Sequence, residues 1–188
     1  YMKNYSDEFI EATTRTQKLG LPLPSKIEYT SNNFLDFPIF ENKLVKFCQT
    51  HLPTFSVDQI SAQCIKVHFE FKEKLEEILN IPIYYTIGYI QFNDKAMFYQ
   101  SEASLKKLLT EGINGNTINL HTWLTLPSME ILDFTLPTTL GKISGNKEMY
   151  GKTIIKHPSK LTNNMEYHPL LVGEEFLYKI GAIQFQYD

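Results

Sequence analysis

Asn119-Leu120-His121-Thr122-Trp123-Leu124-Thr125-Leu126, then Pro127-Ser128, then Met129-Glu130-Ile131-Leu132-Asp133-Phe134-Thr135-Leu136, is the stretch that decides how this chain is read. Two runs rich in β-branched and aromatic residues meet at Pro127-Ser128, the pattern of two strands and a tight turn. A hairpin centred on Pro127 sets His121 directly opposite Asp133. Opposed side chains on one face lie about 5 Å apart at Cβ, close enough for a carboxylate to hold an imidazole through its Nδ1–H. A base with an orienting partner implies a nucleophile, and Cys64 supplies a thiol at a predicted helix start.

Working outward, Ser56-Val57-Asp58-Gln59 and Ser61 offer N-caps for one long helix. Cys64, Val67, His68, Phe71, Leu75, Ile78 and Leu79 recur at helical spacing and form its apolar stripe. Glu70 to Glu77 supply a solvated face, and the helix ends near Asn80. Upstream, residues 3–18 and 39–51 read as two more helices, separated by Gly20-Leu21-Pro22-Leu23-Pro24, which no helix interior tolerates. Downstream, 83–92 is a strand, Asn93-Asp94-Lys95 a turn, 96–99 a returning strand and 101–111 a surface helix. Pro137 stops pairing, and 138–165 reads as a long polar excursion with one short strand at Thr153-Ile154-Ile155. Leu170-Leu171-Val172 closes the set as a strand before a short final helix. Helices followed by strands argue for an α+β fold, N-terminal helices packed on a mostly antiparallel sheet. The 188 residues read as a single domain, with a helical part over 1–80 and a sheet-rich part over 81–188.

Composition excludes several classes. A net charge of −3 with no basic patch speaks against nucleic-acid binding. No apolar run reaches transmembrane length, so no membrane span is expected, and the polar residues 1–5 lack a signal-peptide core. Cys48 and Cys64 are too few for a disulfide framework and read as free thiols of a cytoplasmic protein, with a secreted effector as the alternative. His51, His68, His157 and His168 form no i,i+4 pair and have no zinc-ligand spacing with the cysteines, so neither a metal nor a cofactor is expected. Arg15 is the sole arginine among 18 basic residues; this reads as the coding bias of an AT-rich, bacterial genome. Gly141-Lys142-Ile143-Ser144-Gly145 lacks the Gly-Lys-Ser/Thr ending of a phosphate loop.

A helix-start cysteine (Cys64), a strand ending near Gly88-Tyr89, a His-x-Trp strand (His121-Thr122-Trp123) and an Asp strand (Asp133) together resemble the papain-like superfamily, and most of all its transglutaminase-like branch. The resemblance spans roughly residues 56–136. It implies a Cys-His-Asp triad of Cys64, His121 and Asp133 acting on protein or peptide-like amides through a thioester, as a protease, deamidase or transglutaminase-like enzyme. Independently of it, a helix-start thiol gains from the positive end of the helix dipole. Asp133 would set the histidine tautomer, and donors at the helix start would serve an oxyanion, with Gln59 or Gln63 as side-chain candidates. Trp123 and Tyr89 would form the cleft wall. Cys48, mid-helix beside Phe47, reads as core, and His68 is the rival base. The usual Gly, Trp or Ala neighbours of such a nucleophile are missing from Ser61-Ala62-Gln63-Cys64-Ile65-Lys66. Two other classes therefore stay open: a non-catalytic binding module on the same fold, and a partner-dependent effector or defence domain.

Overall fold

The computed structural model describes residues 4–24, 26–115, 118–162 and 164–184. The chain is mixed α+β and divides into two compact units, each drawing on early and late sequence. Unit one comprises residues 1–26, 86–121 and 162–188, and unit two comprises 27–85 and 122–161.

In unit one, α1 (Tyr5–Lys18) starts where the Asn4 side chain accepts the Asp7 N–H. Lys3, the start that composition predicts, lies outside the described residues. Phe9 and Ala12 are fully buried on its inner face. β1 (Tyr84–Phe92) enters this unit at Thr86 and turns through Asn93 and Asp94 into β2 (Lys95–Met97). Both turn residues hold positive φ, 48° and 60°, as a two-residue type I′ hairpin requires. α5 (Glu102–Glu111) is capped by Ser101 and stopped by Gly112. β6 (Met165–Val172) pairs antiparallel with β1, longer than the three-residue strand predicted at its C-terminal end. The register slips between Ile87 and Gly88, so Leu170 is the extra residue of a bulge and Pro169 faces Gly88. A bulge is where a sheet tolerates proline, which has no N–H to give the ladder. Arg15 Nη1 donates to the bulged Leu170 carbonyl at 2.9 Å, and Val172 N donates to Thr16 Oγ1 at 2.9 Å. These two bonds tie α1 to β6. α7 (Glu175–Lys179) completes the unit.

In unit two, a 3-10 turn (Phe34–Asp36) leads into α2 (Pro38–His51). The stretch that offers N-caps from Ser56 to Ser61 holds a short helix of its own, α3 (Val57–Ile60), ahead of the long one, α4 (Cys64–Leu79). Asn80 ends α4 in the left-handed conformation. β3 (His121–Thr125), β4 (Ile131–Asp133) and β5 (Ile154–Lys156) pair antiparallel in that order, with His121 itself grouped in unit one. α6 (Leu136–Ser144) occupies the stretch predicted to be irregular. Phe47, Phe71 and Phe134 centre the core, with ring centroids 5.0 Å apart for Phe47–Phe71 and 5.1 Å for Phe71–Phe134, both edge-to-face. Burying each such ring stabilises the fold by roughly 2–3 kcal/mol.

The β3–β4 hairpin differs from the sequence reading in one respect. Leu124 faces Leu132 and Thr125 faces Ile131, which sets Trp123, rather than His121, across from Asp133. The reason lies in the loop. Leu126 and Glu130 flank three residues, Pro127 to Met129, with Met129 N donating to Leu126 O and Leu126 N to Glu130 O. Met129 takes φ +71°, the left-handed residue of a three-residue hairpin. The turn is thus centred on Ser128, and the register moves by two, which leaves the pleat parity unchanged.

Candidate functional site

The break between α3 and α4 gives Cys64 its setting. Ser56 and Gln59 form a reciprocal capping box at the start of α3. Ser61 then leaves the helix, Ala62 adopts φ +57°, and α4 restarts at Cys64. A left-handed alanine costs about 1–2 kcal/mol. What opposes that cost is a hydrogen bond from Ala62 N to Thr139 Oγ1 at 3.0 Å. Cys64 is accordingly the first residue of a 16-residue helix, as its predicted helix-start position requires. It is 9% exposed. Gln63, the N-cap, makes no side-chain capping bond, so the positive end of the helix is not neutralised from that position. Of the two oxyanion candidates, Gln59 has its side-chain oxygen committed to Ser56 N at 2.8 Å, whereas Gln63 directly precedes the thiol.

Asp133, the last residue of β4, is fully buried. Its Oδ1 accepts from Thr135 N at 2.9 Å, Thr135 Oγ1 at 3.2 Å and Leu136 N at 3.0 Å. The carboxylate thereby caps the start of α6, where Pro137 costs nothing because first-turn N–H groups have no helical partner. Burying an ionised carboxylate requires such donors.

His68, one turn along α4 from Cys64, is also fully buried. Its Nε2 accepts the Phe134 N–H at 3.0 Å. A backbone N–H can only donate, so Nε2 carries the lone pair and the ring proton sits on Nδ1, 3.4 Å from Thr122 Oγ1. The Tyr85 hydroxyl lies 2.9 Å from Ile65 O and 3.1 Å from Thr122 Oγ1. Nε2 is 3.5 Å from Asp133 Oδ1, but with its lone pair facing Phe134 there is no proton between ring and carboxylate, and the contact is not an ion pair. His68 is a satisfied core histidine in this arrangement, and its basic nitrogen is occupied.

His121 opens β3 in unit one, 3% exposed, with its ring stacked on Phe98 at 5.3 Å. Tyr89 lies in the same unit, stacked on His168 at 4.6 Å and edge-on to Tyr99 at 5.0 Å; burial pushes its phenol above the ordinary range. Trp123, in unit two, has no exposed surface. Cys48 lines an apolar pocket of about 400 Å³ in unit two, together with Leu35, Leu44, Val45, Ile155 and Glu130. Burial pushes the Cys48 thiol up to about 11. Glu130, fully buried, accepts from Leu35 N at 3.1 Å and from the Ser128 hydroxyl. Among the described residues no three His, Cys, Asp or Glu side chains are grouped to hold a metal ion, and no helix is long and apolar enough to cross a membrane.

Thr139 and Ala62 escaped the sequence reading. The signal for Thr139 was present: Asp133, three residues before a leucine-proline pair, is a capping residue ahead of a helix-initiating proline. The fold is thus an α+β protein with a helix-start thiol in one unit. Compared with known proteins, the chain matches no family model, no curated protein and no solved structure.

Proposed function

We propose that the chain is a cysteine-dependent hydrolase or acyltransferase acting on amide bonds of a protein or peptide, papain-like and nearest the transglutaminase-like branch. Cys64 is its nucleophile, His121 its base and Asp133 the carboxylate that orients the base. The observation that carries the reading is the position of Cys64 at the first residue of α4, behind a strained turn. A thiolate there is favoured by the helix dipole, and backbone strain next to a nucleophile is characteristic of working sites.

In this chemistry His121 takes the thiol proton and the sulfur attacks the amide carbonyl carbon. The carbonyl oxygen becomes an oxyanion, met by donors at the head of α4, with Gln59 or Gln63 as side-chain candidates. Collapse breaks the C–N bond, the imidazolium returns its proton to the leaving amine, and a thioester remains. Water, ammonia or a second amine then resolves it, giving hydrolysis or transfer.

Alkylation by iodoacetamide at neutral pH, followed site by site with mass spectrometry, tests the reading. Cys64 should react at least about tenfold faster than Cys48, and His121→Ala should remove that advantage. Equal rates at the two cysteines would overturn it.

A second reading, a non-catalytic binding module, is favoured by the 400 Å³ pocket beside α2, whose size suits a small ligand or a peptide side chain. Under it, Val45→Trp abolishes ligand binding and Cys64→Ala leaves it intact.

A further inference from the structure

We propose that Thr139 is a positioning residue for the Cys64 thiol, acting through the Ala62 turn; the inference rests on Cys64 as nucleophile. Three observations converge on it. Ala62 is held at φ +57°, a conformation that alanine adopts only when its surroundings impose it. Its N–H reaches the Thr139 hydroxyl across 77 residues of sequence, at 3.0 Å. The same hydroxyl donates to Thr135 O at 3.0 Å, so its lone pairs are directed toward Ala62 and its rotamer is set by α6.

The anchor is rigid in turn. The first turn of α6 hangs on Asp133 Oδ1 through Thr135 and Leu136. Lys142, one turn after Thr139, pairs with Asp58 of α3 at 2.5 Å. That exposed pair adds little energy, yet it ties the same two elements a second time. The route from Asp133 to Cys64 therefore runs through α6, Thr139 and Ala62, all in unit two. Its effect is to end α3 and restart the chain as α4 with the thiol at the first position. Without the Thr139 bond the left-handed turn loses its support, and Ser61 to Cys64 can run on as continuous helix. The sulfur would then lose the concentrated positive end of the dipole, which falls off within one turn.

The test is alkylation of Cys64 across pH in Thr139→Val, Thr139→Ser, Ala62→Gly and Ala62→Val. Valine keeps the shape of threonine and removes the hydroxyl; Thr139→Val should slow Cys64 about tenfold at neutral pH and move its pH profile upward, with Cys48 unchanged. Thr139→Ser should restore both. Where Thr139→Val fails to fold by circular dichroism, the exposed Ala62 decides. Glycine accepts positive φ and should keep the wild-type rate, whereas β-branched valine does not and should slow Cys64 as Thr139→Val would. A wild-type rate and profile in Thr139→Val or Ala62→Val overturns the proposal. Equal reactivity of Cys48 and Cys64 in the wild-type protein overturns the nucleophile itself, a separate failure.

Discussion

Phe134 donates its backbone N–H to Nε2 of His68 at 3.0 Å, and both residues are fully buried. The bond fixes the histidine as the Nδ1–H tautomer and ties α4 to the end of β4. Replacing His68 by leucine leaves a buried N–H without an acceptor, at a cost of about 1–3 kcal/mol. Glutamine places its side-chain oxygen near the former Nε2 and should recover most of that loss. Urea unfolding of His68→Leu and His68→Gln measures the difference. A leucine variant as stable as wild type would refute the assignment.

Asp133 combines a structural duty with the proposed catalytic one, and two variants separate them. Alanine removes an oxygen that accepts three hydrogen bonds at the head of α6, and should cost roughly 2–4 kcal/mol. Asparagine retains that oxygen and should stay within about 1 kcal/mol of wild type, since an amide caps a helix about as well as a carboxylate. If Asp133 orients the base, Asp133→Asn should still lower amide or ester turnover by roughly two to four orders of magnitude, because an amide cannot hold the same tautomer. Melting and turnover measured on both variants give the split. Unchanged turnover in Asp133→Asn removes the carboxylate from the mechanism.

The elements legible in the sequence are those whose determinants are local. The turn at Asn93-Asp94 and the helix end at Asn80 each mark a boundary through their own backbone chemistry, and the structure places the ends there. What escaped depends on distant partners. The break at Ala62 is stabilised by Thr139, 77 residues away, and the apolar periodicity from Cys64 to Leu79 carries no trace of that partner. The hairpin centre depended on Met129 adopting a left-handed conformation that methionine seldom takes, so Pro127 drew the reading instead. α6 was masked by polar composition, although Asp133 and Pro137 carried its signature. Of the site, the thiol at a helix start was legible from the apolar stripe that opens at Cys64, whereas the cap at Ser56 belongs to α3. The role of His68 was not, because it turns on a single backbone N–H from another element.

Gly141 lies in α6 one turn before the cap that ends it. A Cβ there would meet Asn146 O at 2.8 Å, Met149 Cβ at 2.9 Å and Tyr150 Cδ1 at 3.1 Å. Glycine to alanine within a helix ordinarily stabilises by about 0.5–1 kcal/mol. Here the nearest obstacle is a backbone carbonyl that cannot swing aside, and overpacking outweighs the propensity gain. Gly141→Ala should therefore destabilise by about 1–3 kcal/mol. A thermal melt at or above the wild-type midpoint would contradict this packing.

The two cysteines should part company as pH rises. Burial pushes the Cys48 thiol from 9.0 to about 11, so at neutral pH it is almost wholly protonated. Its alkylation rate should climb about tenfold per pH unit and level off only near 11, since the thiolate alone reacts. Cys64, at the head of α4, should level off well below that. The same displacement has a stability consequence. The folded thiol holds its proton more tightly than the unfolded one, so the contribution is whole below pH 9 and is lost as pH rises toward 11. Denaturant titrations from pH 8 to 11 should show wild type losing stability across that window, with Cys48→Ala lacking that part of the decline. A wild-type curve parallel to that of Cys48→Ala would mean that the Cys48 sulfur is solvated in the folded protein.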